Sequence, residues 1–261
     1  NLKDVAEHRL ELRDYELTRT RLGLSSTIDY KFNQNHSVYF RTLYSRFTDR
    51  EWRRRIVFLP ADDEIERLTK DRFESQSILN FNLGTKHNFG KVKLDLEASY
   101  SLAEQNTPYD NEVVFVASGI SQQLNFNNNK FPTFSTSENY LESGLYDFNE
   151  FVNGNTKATD QNITSKFNLI IPYNANGYIK TGAKIRLKTK SYNINENVYE
   201  QIAGVPNLSR FAGGLNDENF LNNNYTLGLS PNLNLFIPYF NSNPSQFELD
   251  NEEKLVKEAV E

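Results

Sequence analysis

Cysteine is absent from the chain, so disulfides, thiolate metal sites and cysteine nucleophiles are excluded. Methionine is absent too, even at position 1, and the chain is expected to be a processed product or a fragment, with no visible signal peptide. Long apolar runs are missing. The longest, "FNLIIPY" and "EVVFVASGI", fall far short of the roughly 18 residues of a membrane-crossing helix. A basic excess is missing as well. The formal charge is −5 over 261 residues, which leaves nothing to neutralise phosphates and makes nucleic acid a poor partner. Histidine is scarce and dispersed, at His8, His36 and His87, and two of the three fall in short turns. No G-x-S-x-G, H-E-x-x-H, P-loop or EF-hand spacing occurs. The chain is therefore not expected to be an enzyme, and no catalytic residue, metal or cofactor is assigned.

What is present is alternation. Hydrophobic residues make up 38% and mean hydropathy is −0.66, yet aromatic content reaches 13%, which argues against disorder. Six stretches alternate with period two: residues 19–32, 37–47, 72–85, 91–102, 163–171 and 178–190. "KVKLDLEASYSL" is the cleanest, with Val92, Leu94, Leu96, Ala98, Tyr100 and Leu102 opposed by Lys93, Asp95, Glu97 and the serines. The second stretch is mixed, because Tyr39, Leu43 and Phe47 oppose Val38, Phe40 and Tyr44. Such runs predict strands of a sheet with one apolar and one wet face, the apolar residues of strands one, three, four, five and six sharing a side.

The connections alternate in length. "NQNH", "KHNFG" and "PYNANG" are tight turns rich in residues that tolerate positive φ. Residues 47–71, 103–162 and everything after 190 read as long loops, with a helical turn at 62–68 and a short capped helix from Asp250 onward. Short turns on one side and long loops on the other match an outer-membrane barrel, whose strands need about 9–11 residues to cross. In that frame Ile28, Tyr30, Phe32, Val38 and Phe40 form a lipid-facing patch, with Tyr30 and Phe32 at the inner aromatic girdle.

Charge supplies the candidate sites. On a lipid face each midplane charge costs roughly 2–4 kcal/mol, so Arg19, Arg21, Asp95, Glu97, Lys184, Arg186 and Lys188 are expected to face a lumen. "DREWRRR" (49–55) is either an anion-attracting cluster at a barrel mouth or a ladder of acid–base pairs, and Trp52 fits an interfacial aromatic or a ligand stack. "ADDEIE" (61–66) is either solvated loop charge or a weak calcium site. Residues 103–162 are dense in aromatics, which either stack on a flat ligand or pack the loop against itself. Tyr140 and Tyr146 are taken, with Trp52, as candidate ligand contacts.

The stretch "YELTRTRLGLSSTIDYKFNQNHSVYFRTLYSRFTDREWRRR" resembles a recurrent barrel segment of TonB-dependent outer-membrane receptors of the carboxypeptidase-regulatory-like subgroup. Arg19, Arg21 and Gly23 match an R-x-R-x-G strand. Asp29, Tyr30 and Lys31 match a D-Y-K hairpin, and Tyr44, Ser45, Phe47, Asp49 and Glu51 match Y-S-x-F-x-D-x-E. "GYIKTGAKIRLKTKSYN" is similar to a K-x-G-x-K-x-R-x-K strand through Lys180, Gly182, Lys184, Arg186 and Lys188. The resemblance implies an internal fragment, residues 1–261, of a barrel of roughly 22 strands, about three antiparallel hairpins with extracellular loops and neither plug nor TonB box. It implies location in the cell outer membrane and TonB-coupled uptake of an external small ligand or glycan. The implied partners are outer-membrane lipid and, through the missing plug, the TonB complex. A porin without TonB coupling and a soluble β-rich binding protein or carbohydrate-active enzyme remain open beside it.

Overall fold

A computed structural model describes residues 9–213 and 219–250. The chain is all-β in its main body. Six long strands form an antiparallel meander: β1 Leu10–Lys31, β2 His36–Leu59, β3 Glu64–Phe89, β4 Val92–Ser118, β7 Asp147–Pro172 and β8 Tyr178–Gln201. A small hairpin, β5 Gln122–Asn125 and β6 Thr133–Thr136, lies between β4 and β7. After β8 come two helices, α1 Leu208–Phe211 and α2 Leu233–Ser242, and then β9 Phe247–Leu249. β9 pairs with β8 only at Tyr199–Gln201, so β1 and most of β8 are edges and the sheet is open.

The three short turns form as the sequence suggests, and two share one design. In "FNQNH" the Phe32 amide donates to the His36 carbonyl (2.9 Å), and the Asn35 amide donates to Asn33 Oδ1 (2.8 Å). In "YNANG" the Tyr173 amide donates to the Gly177 carbonyl (3.1 Å), and the Asn176 amide to Asn174 Oδ1 (2.9 Å). The asparagine side chain closes the turn by mimicking backbone. Between β3 and β4, Gly90 supplies the positive φ (66°) that a two-residue connection needs.

The long loops are mostly strand. Residues 47–71 are not a loop: β2 and β3 pair without interruption from His36↔His87 to Leu59↔Glu64, closed by a turn at residues 60–63 with Asp63 at φ 52°. The helical turn expected at 62–68 is therefore this turn and the start of β3. Of the segment 103–162 only residues 119–146 leave the main sheet, and β8 continues to Gln201 past the expected end at 190. The helix expected after Asp250 lies outside the described residues. The β4 periodicity fails for a specific reason. Pairing with β3 shifts between Phe73 and Ser75, and pairing with β7 shifts between Thr107 and Asp110. Pro108 sits in this bulge, where a residue without an N–H is tolerated. Even-numbered residues to Asn106 and odd-numbered ones from Tyr109 thus share a face.

The core lies at one end of that face. Residues 119–146, 202–213 and 219–249 fold over the sheet end farthest from the short turns. Leu12, Ile56, Phe58, Ile65, Val113 and Phe115 come from the sheet, and Tyr146, Leu208, Phe211, Leu233 and Phe236 from the cap; all are buried. Phe236 packs edge-on to Phe115 and stacks on Phe148. The α2 N-terminus is capped by Asn232, whose Oδ1 accepts from the Asn234 amide (2.9 Å).

Candidate functional site: the two faces of the sheet

Register decides the faces, because residues directly opposite in an antiparallel pair project to the same side. Leu24↔Tyr44↔Leu79↔Leu102 is one rung, and Ile28↔Phe40↔Leu83↔Ala98↔Ser165↔Ile185 is another. The apolar residues of stretches one, three, four, five and six therefore lie on one face, together with Val38, Phe40 and Tyr44 of the second. Leu94 falls on it with Leu83, and Lys93 on the other. Among the described residues nothing covers this belt toward the short turns. Leu24 and Ile28 are each 59% exposed, Leu83 52% and Ile185 65%.

The belt has two edges. At the short turns sit aromatic rings: Tyr30 edge-on to Phe32 (5.0 Å), and Phe89 against His36 and His87. At the other edge the same face turns polar along the rung Leu22↔Arg46↔Ser77↔Glu104. Between these limits β4 contributes Leu94 to Leu102, which matches the about 9–11 residues of a membrane-crossing strand.

The opposite face is wet except at its far end, where Val57, Leu68 and Val114 form a small buried cluster. Arg19, Arg21, Asp95, Glu97, Lys184, Arg186 and Lys188 all fall on it by register. Ion pairs run across it from strand to strand: Arg19 Nε to Asp49 (2.8 Å), Arg72 to Glu51 (2.8 Å), Arg55 to Glu112 (2.7 Å), Lys166 to Glu97 (3.2 Å) and Lys188 to Asp160 (3.0 Å). The "DREWRRR" cluster is split by the pleat. Asp49, Glu51, Arg53 and Arg55 join this ladder, while Arg50, Trp52 and Arg54 lie on the belt face beyond the belt. Arg54 pairs there with Asp14 (2.5 Å) and Arg50 with Asp71. Burial pushes the Asp71 carboxyl above its usual range, with Arg50 opposing it. Glu66, on the wet face above the ladder, is also pushed up by burial.

The second stretch's mixed parity has a physical reason. Its wet-face aromatics serve that face: the Arg21 guanidinium lies 5.0 Å from the Phe47 ring centroid, and Arg41 4.5 Å from that of Tyr39. The Tyr39 hydroxyl donates to Glu97 Oε2 at 2.7 Å.

The three candidate ligand contacts part company. Tyr146 is fully buried and its hydroxyl donates to the Tyr140 carbonyl (2.6 Å), which places it in the core. Tyr140 packs on Phe58 and Phe134 and donates to the Thr226 carbonyl (2.9 Å), a structural role in the cap. Trp52 lines a pocket between the sheet and the cap, with Glu16, Arg54, Thr69 and Asn232. Phe115, Phe148 and Phe151 pack the core, so these aromatics serve packing rather than stacking on a ligand.

One residue escaped the sequence reading. Arg67 is 1% exposed and donates to the carbonyls of Leu227 (2.8 Å), Leu229 (2.7 Å) and Tyr140 (2.8 Å), pinning both halves of the cap. Nothing in its local sequence marks it, since its partners lie far along the chain. His36 and His87 are not free turn residues: they close the β2–β3 ladder with their Nδ1 atoms 2.9 Å apart. His8 lies outside the described residues. Among the described residues no group of three His, Asp or Glu side chains could hold a metal, the 61–66 carboxylates included. No helix there is long and apolar enough to cross a membrane, which leaves strands untouched. Comparison with protein-family models and with curated proteins found no match to this chain.

Proposed function

We propose that the six long strands are a section of a transmembrane β-barrel, with the belt against outer-membrane lipid and the charged face toward a lumen. The observation that carries the reading is the uncovered belt itself. A soluble sheet would bury a continuous apolar face of this extent against a second layer. Here, among the described residues, only the far end is covered, and the width, the aromatic edge and the charge-free rungs of the exposed part support a bilayer as its environment. The open edges of β1 and β8 then pair with further strands, because lipid does not tolerate an unpaired edge.

Within that reading the protein is part of a non-enzymatic receptor that takes up an external ligand with energy supplied through TonB. The resemblance of Arg19 to Glu51 and Lys180 to Lys188 to such receptors supports this step.

The chain has no native cysteine, so single cysteines test the faces directly. Cysteines at Leu24, Leu83 and Ile185 should react with a lipid-soluble maleimide and resist a charged one in membranes of cells making the protein. Cysteines at Arg21, Asn82 and Lys184 should do the reverse. Equal reaction of both rows with the charged reagent overturns the membrane reading. Uptake that persists without TonB leaves the barrel but overturns active transport.

A further inference from the structure

Among the described residues β8 is a free edge over most of its length, since β9 takes up only Tyr199–Gln201 and the Asp250 amide reaches the Val198 carbonyl. The two sides of this edge differ. Toward the belt it shows Ile179, Ala183, Ile185 and Leu187. Toward the wet face it shows Lys180, Lys184, Arg186, Lys188 and Lys190, with no carboxylate on that side before Glu196.

The rest of the sheet shows what such cations meet. Every contact between neighbouring long strands carries an ion pair across the wet face; β3 and β4, for example, are joined there by Lys70 and Asp110 (2.7 Å). At β8 the pattern is unfinished. Asp160 takes both Lys188 (3.0 Å) and Lys190 (3.4 Å). Lys184 stands opposite Lys166, which Glu97 already holds, and Arg186 stands opposite Thr164. Among the described residues no carboxylate comes within ion-pair distance of Lys180, Lys184 or Arg186.

Same-side residues of a strand recur about every 6.5–7 Å. The cation row is therefore in step with a neighbouring extended chain that carries carboxylates at alternate positions. The free N–H and C=O groups of the edge bind the backbone of such a chain. Opposite charges across the pair stabilise it, and like charges oppose it. We propose that the β8 edge takes an antiparallel strand of alternating acidic and apolar residues. Its carboxylates face Lys184, Arg186 and Lys188, and its apolar residues continue the belt past Ile185 and Leu187. This rests on the reading of β8 as an edge that pairs with a further strand, and it states the chemistry of that strand. A second copy of this chain does not fit, because the wet side of the β1 edge sets one carboxylate, Asp29, against Arg19, Arg21 and Lys31.

The full chain in a zwitterionic detergent would be titrated with short fluorescent peptides in which valine alternates with glutamate, glutamine or lysine, with anisotropy as the readout. The glutamate peptide should bind about tenfold tighter than the glutamine one at low ionic strength, and the gap should close as salt is added. Lys184→Glu combined with Arg186→Glu should transfer the preference to the lysine peptide. The chain has no native cysteine, so position is read by disulfide formation. Ile185→Cys should couple to a glutamate peptide with cysteine in place of its central valine, and Leu83→Cys, inside the sheet, should not. A glutamate peptide that binds no tighter than the glutamine one overturns the proposal, and the β8 cations then serve to repel strands, as lysines on free edges do. Equal coupling at both cysteines marks diffuse attraction and overturns it too. Should the charge-reversed variant fail to fold, an undiminished glutamate preference in Arg186→Gln overturns it equally. These titrations need no bilayer, so their failure leaves the maleimide test of the two faces standing, and the reverse holds as well.

Discussion

Tyr39 lies over Gly84, its direct partner across β2 and β3, and reaches past it to donate to Glu97 on β4. A Cβ at Gly84 would overlap the tyrosine ring. Three strands are thus joined by one side chain that fits only because the middle strand has none at that point. Gly84→Ala should expel the ring and cost about 1–3 kcal/mol through overpacking, measured as a lowered unfolding midpoint in detergent. Tyr39→Phe, which keeps the ring and loses the hydroxyl, should cost less. A Gly84→Ala protein as stable as the original would show that the ring contributes nothing there.

Belt and wet face should differ in their tolerance of charge. Leu83→Arg puts a cation in the belt and, on the proposed membrane reading, should cost about 2–4 kcal/mol if it sits near the midplane. Asn82→Arg, one residue away on the opposite face, should be nearly neutral. Heat-modifiability of the two variants on gels, or their yield in the membrane fraction, compares them. Equal loss for both would contradict the two-faced sheet.

Arg67 should govern the cap without governing the sheet. Arg67→Met takes the guanidinium donor from the Leu227 and Leu229 carbonyls, each worth about 1–3 kcal/mol if it stays buried, while the Tyr140 carbonyl keeps the Tyr146 hydroxyl. Limited proteolysis should then cleave within residues 202–249 while the long strands stay protected. Arg67→Lys should rescue only in part, since an ammonium cannot reproduce the planar fork. Cleavage spread evenly over the chain would refute a cap-specific role.

Phe236 supplies a second handle on the same region. It is fully buried among Phe115, Phe148, Phe151 and Phe211. Phe236→Ala should cost about 3–5 kcal/mol, read as faster hydrogen exchange in α2 and the covered ends of β4 and β7. Exchange unchanged in those segments would count against the packing described.

Glu66 gives a pH dependence. Its folded pKa is raised by burial, so the folded state binds its proton more tightly than the unfolded state does. Stability from this group is therefore greatest at low pH and falls as pH rises from the usual carboxylate range through the raised value. Glu66→Gln should remove that fall and flatten the denaturation midpoint between mildly acidic and neutral pH. An unaltered slope in the variant assigns the pH dependence elsewhere.

The sequence by itself determined the two faces over the parts near the short turns. A side-chain period of two, with carboxylates and cations opposite leucines and isoleucines, admits one pleat, and asparagine and glycine fix the turns that hold its register. Strand length was decided elsewhere. Beyond Phe47 and before Arg72 the belt face leaves its exposed apolar zone, takes up Arg50, Trp52 and Arg54, and then passes under the cap, so neither face stays purely apolar and alternation vanishes. In β4 the bulge at Pro108 reverses parity, which hides Val113 and Phe115 from any fixed period. Arg67 and Trp52 acquire their surroundings from residues far along the chain, Leu227 for one and Asn232 for the other. Local pattern can specify a pleat because its period is set by the backbone. Only tertiary packing can specify which distant carbonyls meet one buried guanidinium, because that depends on how two long segments fold back over the sheet.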